Sequence, residues 1–413
     1  MQRQKLNLLG FGKLFGPTYK SHLGRQNELL ENKRPCGWYY GYHPAELNYV
    51  FDIVNIFPEQ YSAYCASRGD SPKMIDDYYS MGYGPFLCDY VKCSVGAIDN
   101  PELATKPLMP KPDFTVDHHS ICFGHRDMAE LHARMYDARR YSLAFPYIRK
   151  EDIGSFDDIT KITEWMDKDV LEYTVQVLKD FVTFLEGVTG EELDDDKFKS
   201  VMKISEETSK YFTEIFKLFM SKPTPGSQVD LANYPFVGFF VHGSKYGLDY
   251  VKNCYELIKE RVRRKEGVVP EEKFRLMTHG IMPWHTLSLY NYIEELGATF
   301  PLNPYAHCSA VLHDSNKPFE SLARRVSTFC NVEHDLMLDA LIKKAKDADL
   351  DGAILFENTG CRIVSGVMRP IKKALYEELG IPSLIVEAPQ CDSRAMPPER
   401  MMTQFDAFIE SLR

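Results

Sequence analysis

The spacing of apolar residues changes character twice along the chain. Between about residues 34 and 150, short apolar runs alternate with stretches of helical period: "PDFTVD" (112–117) predicts a strand, "RDMAELHARMYD" (126–137) a helix and "RYSLAFPYI" (140–148) a strand. Strand, helix, strand is the repeating unit of a parallel sheet. From about 155 to 262 the period becomes three to four, in "DVLEYTVQVLKDFVTFLEGVTG" and "DDKFKSVMKISEETSKYFTEIFKLFMS", with "KPTPGSQ" as a loop after them. After 263 the alternation returns. "KFRLMTHG" predicts a strand ending at Gly280, "MPWHTLSLYNYIEELG" a helix with Pro283 in its first turn and Gly297 past its end, and "ATFPL" the next strand. "DLDGAILFE" (349–357) and "IPSLIVEAP" (381–389) predict two more strands around the helix "RIVSGVMRPIKKALYEELG", which should kink near Pro370.

The pattern therefore predicts an α/β chain in four parts. A helical extension occupies 1–30, a first α/β domain 31–154, a helical segment 155–262 and a second α/β domain 263–413. With 413 residues, 44% hydrophobic and 26% charged, the chain can bury more than one sizeable core. No apolar run reaches membrane-spanning length, and the first twenty residues lack the apolar centre and cleavage site of a secretory signal. A cytoplasmic address is expected. A formal net charge of -10 and the lack of a dense basic stripe argue against a nucleic-acid or anionic-membrane surface, leaving a small molecule or another protein as partner.

Ten cysteines, without a secretion signal, predict free thiols, most of them in the core. Cys361, in "FENTGCRIVSG", falls just past a strand's carboxyl end, where the next helix opens. Ligands bind in that crevice in open α/β sheets, and a helix start favours a thiolate. Cys122, in "PDFTVDHHSICFGHRD", and Cys88, in "MGYGPFLCDYVKCSVG", have comparable settings. Three thiolates brought together would hold three irons of a [4Fe-4S] cubane and leave the fourth open. Position alone leaves plain packing cysteines as the simpler reading. His118, His119, Cys122 and His125 lie close together but match no standard zinc spacing, and Cys93 is an alternative ligand better read as packing. A Cys361 hydrolase would need a histidine placed by the fold. "GFGKLFG" and "HGSKYG" both miss the phosphate loop, so any ATP would be handled by another protein.

Six stretches in order, "KRPCGWYYGYHPAELNYVFDIVNIFPEQ", "LCDYVKCSVG", "PKPDFTVDHHSIC", "PEEKFRLMTHGIMPW", "DGAILFENTGCR" and "GIPSLIVEAPQCDSRAMPPERMMTQFDAFIESL", carry a resemblance. From about residue 30 onward the chain resembles the catalytic subunits of the 2-hydroxyacyl-CoA dehydratase and benzoyl-CoA reductase family. The resemblance implies two Rossmann-like domains with helical elements and a cytoplasmic enzyme of anaerobes. It further implies pairing with a related subunit, or with a second copy, and a [4Fe-4S] cluster on Cys88, Cys122 and Cys361. A separate ATP-dependent iron-sulfur activator would inject one electron, and a ketyl radical of the acyl-CoA substrate would then lose its 2-hydroxyl as water to give the 2-enoyl-CoA. "FPEQ" matches the motif whose carboxylate moves a proton, which places that role on Glu59. Some dehydratases use a serine in the segment matching "GWYYG"; none stands here, so Tyr39 or Tyr40 is expected to donate a hydroxyl or to line an aromatic acyl pocket. Ring reduction of an aromatic acyl-CoA and a homodimeric double-cubane reductase remain alternative readings, as does a scaffold subunit without a cofactor.

Overall fold

A computed structural model describes residues 11–98, 109–118, 121–152, 166–306, 314–327 and 332–413. Among the described residues, eight strands form two four-stranded sheets, parallel throughout. The first contains β1 (Cys36–Tyr39), β2 (Val54–Ile56), β3 (Phe114–Asp117) and β4 (Arg139–Ser142) in the order β2-β1-β3-β4. The second contains β5 (Phe274–His279), β6 (Ala298–Leu302), β7 (Gly352–Glu357) and β8 (Ser383–Glu387) in the order β6-β5-β7-β8. Trp38 of β1 pairs with Ile56 and Thr115, and Ile354 of β7 pairs with Thr278 and Leu384. Both sheets thus reverse direction of growth between their first and third strands in sequence.

Apolar runs become strands here because both faces are covered. Ile354 and Phe356 of β7 enter a core shared with Phe405 and Met401 of the helix Pro398–Ser411. Ala353 and Leu355 enter a second core on the other face, which reaches Trp38, Tyr40 and Val54 of the first sheet. A third core joins the outer face of the first sheet to the helical segment, with Phe114 and Val116 packed among Phe181, Phe212 and Phe216. Burial of each such side chain contributes about 1.5–3 kcal/mol. The edge strand β4 carries Arg139 and Arg140, charges that discourage further strand pairing.

Several predicted boundaries shift. The strand expected at 140–148 ends at Ser142; the remainder contains Pro146, which cannot donate to a ladder. The helix expected at 282–297 begins as a short 3-10 turn, Trp284–Thr286, before Ser288–Glu295. The kink expected at Pro370 is a break at Val367 between Arg362–Gly366 and Met368–Leu379. Pro370 lies in the first turn of the second helix, where a missing N–H costs nothing. The N-terminal helix, Phe11–Glu31, is fastened to the first sheet. Gln26 donates to Asn55 Oδ1 at 2.7 Å, and the Asn55 N–H returns a bond to Gln26 Oε1 at 2.9 Å. Three long helices, Lys168–Thr189, Asp195–Phe219 and Lys245–Arg264, fill the segment between the sheets in sequence. No helix among the described residues is long and apolar enough to cross a membrane.

Candidate functional site

Six strand ends converge on one cavity of about 380 Å³. Its lining includes Gly41 beyond β1, Glu59 beyond β2, Cys122 beyond β3, Ile281 beyond β5, Cys361 beyond β7 and Gln390 beyond β8, with Cys88 between them. The carboxyl ends of parallel strands at a reversal of strand order are where open α/β sheets leave a crevice. Here two such crevices face each other.

Cys88, Cys122 and Cys361 each stand immediately before a helix: Asp89–Gly96, Phe123–Tyr136 and Arg362–Gly366. Each thiol therefore meets free backbone N–H groups, as where Gly124 N donates to Cys122 Sγ at 3.3 Å. Glycines allow the sulfurs to approach. A methyl on Gly124 would lie 3.3 Å from Cys122 Sγ and 4.0 Å from Cys88 Sγ. At Gly360, with φ +79°, a methyl would lie 2.9 Å from Cys88 Cα, so the "NTGC" turn lies directly on the Cys88 backbone. Asn358 fixes that turn. Its amide donates to Ile281 O at 2.8 Å and Ala388 O at 2.9 Å and accepts from Ile281 N at 2.8 Å, so it ties together the ends of β5, β7 and β8. Asp89 clamps the other side, accepting the N–H groups of Cys391 at 3.0 Å and Asp392 at 3.1 Å.

The expectation that helix starts favour thiolates is outweighed by depth. Burial, with Cys122 and Cys361 nearby, pushes the Cys88 thiol well up. Burial also raises Cys361 to about 12, against the opposing N–H groups of Val364 and Ile363. Three sulfurs bordering one cavity make a soft donor set suited to a thiophilic metal centre. Among the described residues no three His, Cys, Asp or Glu side chains cluster around a single ion position. The thiols border a cavity rather than a point, which suits a multi-iron group with one thiolate per iron better than one zinc ion. Of the clustered histidines, His118 packs on Phe145 with ring centroids 4.7 Å apart, His125 serves Glu59, and His119 lies outside the described residues. Cys93 is fully buried beside Cys391.

Glu59 opens the helix Pro58–Arg68 and lines the cavity. Its carboxylate accepts the Gly41 N–H at 2.8 Å and lies 2.9 Å from His125 Nε2. Burial works against its charge, but His125 and the Gly41 N–H outweigh it and hold the carboxyl below its ordinary range. Burial also opposes charge on His125, yet Glu59 holds the imidazolium up to about 9. Glu59 and His125 thus form an ion pair, not the raised carboxylic acid that burial alone would suggest. Gly41, at φ +73°, is what admits the ring: a methyl there would lie 2.5 Å from His125 Nδ1. The segment that lacks a serine is filled by an imidazole instead.

Tyr39 and Tyr40 lie elsewhere. Both are fully buried and neither lines the cavity; the Tyr39 hydroxyl bonds Asn48 and the Tyr40 hydroxyl bonds His132 Nδ1 at 2.7 Å. Alternation along β1 sends them into opposite cores, and the cavity is reached by Gly41 and Tyr42 beyond the strand.

The model of the family described as 2-hydroxyglutaryl-CoA dehydratase, D-component, matches residues 40–412. The chain belongs to this family. Similar proteins include the (R)-phenyllactyl-CoA dehydratase alpha subunit of Clostridium sporogenes, 24% identical over 93% of this chain and 90% of that one. The (R)-2-hydroxyisocaproyl-CoA dehydratase alpha subunit of Clostridioides difficile is 26% identical over 92% and 90%. A benzoyl-CoA reductase subunit of Thauera aromatica is 23% identical over 88% and 85%. This is an enzyme family, and the two dehydratase subunits just named match this chain over more than nine-tenths of its length. What sequence reasoning missed is His125 as the partner of Glu59. The signal for His125 was Gly41, the glycine that leaves room for the ring.

Proposed function

We propose that this chain is the cluster-carrying catalytic subunit of a 2-hydroxyacyl-CoA dehydratase, working with a related second subunit and a separate ATP-dependent iron-sulfur activator. The observation that supports it most is the meeting of Cys88, Cys122 and Cys361, at three helix starts, on one cavity that also holds Glu59. These cysteines would hold a [4Fe-4S] cluster, which when bound supplies a low-potential electron and a Lewis-acidic iron. Glu59 is the chain's own proton carrier, accepting a proton from substrate carbon and returning it to the departing oxygen. His125 holds Glu59 ionised and ready to accept. Aromatic side chains, among them Phe236, Phe240 and Trp284, line much of the cavity and would limit bulk water at the reacting carbons.

Anaerobic purification followed by iron and sulfide counting tests the reading. About four irons per chain are expected. Cys361→Ala should lose the brown absorbance, while Cys254→Ala, which alters a core thiol that does not line the cavity, should keep it. Colourless, iron-free wild-type protein would overturn the assignment. Given activator and ATP, turnover of benzoyl-CoA with none of any 2-hydroxyacyl-CoA would assign ring reduction, the reaction type named for the Thauera relative. Iron well above four per chain without acyl-CoA binding would point to the double-cubane alternative.

A further inference from the structure

Besides Glu59 and the three cysteines, the cavity carries a hydroxyl whose direction is set by its neighbour. Tyr90 stands in the first turn of the helix Asp89–Gly96, which Cys88 opens, and Trp284 begins the 3-10 turn Trp284–Thr286 beyond β5; both line the cavity. They meet across the two halves of the chain, the indole N–H donating to the Tyr90 hydroxyl at 2.5 Å. Both backbones are held as well. The Tyr90 carbonyl accepts from the Ser62 hydroxyl at 3.2 Å, and the Trp284 N–H donates to Gln390 O at 3.1 Å.

An indole nitrogen can only donate, so in this pair the Tyr90 oxygen accepts and the phenolic proton must point elsewhere. Among the described residues no acceptor takes it. Tyr90 is only 7% exposed, so bulk water is a poor substitute. A donor left in that condition is destabilising, and a ligand oxygen would relieve it. The hydroxyl lies within electrostatic reach of Glu59 and Tyr305, which line the same cavity.

Two polar groups with opposite needs therefore share one space. Glu59, ionised, accepts; Tyr90, with its oxygen engaged by the indole, donates. A 2-hydroxyacyl thioester has a hydroxyl that can donate and, on the adjacent carbon, a carbonyl that can only accept.

We propose that Tyr90 is a catalytic residue whose O–H donates to the carbonyl oxygen of the bound acyl thioester. The inference rests on the acyl-CoA dehydratase reading above and adds to it the group that holds the carbonyl. The proton stays on the Tyr90 oxygen. A donor oriented beforehand by Trp284 stabilises the negative charge that develops on that carbonyl oxygen during reaction. The hydroxyl expected of Tyr39 or Tyr40 is thus supplied from the helix start that also presents Cys88.

Isothermal titration of anaerobically purified, iron-loaded protein tests this without turnover. The probes are hexanoyl-CoA and S-hexyl-CoA, a thioether that lacks the carbonyl oxygen. Wild type should bind the thioester about 5- to 10-fold more tightly than the thioether. Tyr90→Phe should erase that preference and leave thioether binding unchanged. Trp284→Phe breaks the same indole bond but keeps the hydroxyl, so it should retain most of the preference; equal losses in the two variants would reduce Tyr90 to a support for Trp284 and overturn the inference. Replacing Tyr90 with 3-fluorotyrosine makes the O–H a stronger donor and should raise the preference about 2-fold, a gain that misfolding cannot produce. No preference in wild type, a preference that survives Tyr90→Phe, or no gain from the fluorinated ring would overturn the inference and leave the dehydratase reading standing. If neither probe binds to iron-loaded protein, both fall.

Discussion

The two sheets share a strand order and place a cysteine by the same rule, yet they treat carboxylates in opposite ways. Cys122 follows the third strand of the first sheet and Cys361 the third strand of the second, each at a helix start beside the reversal of strand order. In the first half, Glu59 faces the cavity with His125 beside it and stays ionised. In the second half, Glu294 is buried with only neutral donors, Ser227, Asn291 and the Gln228 N–H, and burial raises it to about 7. Topology thus repeats the position of a thiol, whereas the charge of a buried carboxylate depends on whether a cation reaches it. The ionised carboxylate that lines the cavity comes from the first half.

The largest expected effect comes from removing the charge of the first half. Glu59→Gln should retain its iron and lose turnover by about 100- to 10,000-fold, as for loss of a general acid-base group. Unchanged turnover would dismiss the role of Glu59. Next is the buried ion pair that joins the halves. Arg325, on the helix Pro318–Val326, holds Glu46, and both are fully buried. Arg325→Ala strands a buried carboxylate and should cost about 3–5 kcal/mol in a denaturation midpoint series, with Glu46→Gln in the same chain recovering part of the loss. A loss below about 1 kcal/mol would show the pair to be dispensable.

Smaller effects separate the two carboxylates by pH. Because folding raises the Glu294 pKa, its contribution to stability is full below about pH 4 and is lost as pH rises through about 7. Glu294→Gln should therefore gain on wild type by about 1–3 kcal/mol between pH 5 and 8, and a pH-independent difference would sink the assignment. For the first-half pair the signs are mixed. The His125 contribution is lost as pH rises through about 9, and the Glu59 contribution is lost as pH falls into the acid range. The smallest effect is expected at Tyr40→Phe, which removes a buried bond to His132 and should cost about 1 kcal/mol while leaving KM for the acyl-CoA unchanged. A raised KM would return Tyr40 to the binding site.

Much of this was legible in residue order. Strands β5, β7 and β8 stand close to where their apolar residues predicted them, and the central strand β7, buried along most of its length, is the one written as a nearly unbroken apolar run. The start of a helix after Cys361 was legible too, because "NTGC" combines a turn-forming Asn and Gly with a helical pattern behind it. Less legible was the aim of side chains near strand ends. Tyr39 and Tyr40 stand just before Gly41, and the alternation of a strand, not their chemistry, sends both into the core. Cys93 and Cys88 are equally plausible on composition; only the N-cap position of Cys88 turns it toward the cavity.

By itself, the sequence determined the periodicities and the helix starts, and hence two βα junctions and one glycine-rich bend at which a thiol would matter, because those are short-range consequences of backbone and side-chain geometry. Only the tertiary structure decided that these junctions meet, that His125 rather than a tyrosine fills the space beside Gly41, and that Glu59 is an ion rather than an acid. Meeting depends on how two sheets pack, and the charge of a buried group depends on which neighbour arrives from a distant part of the chain.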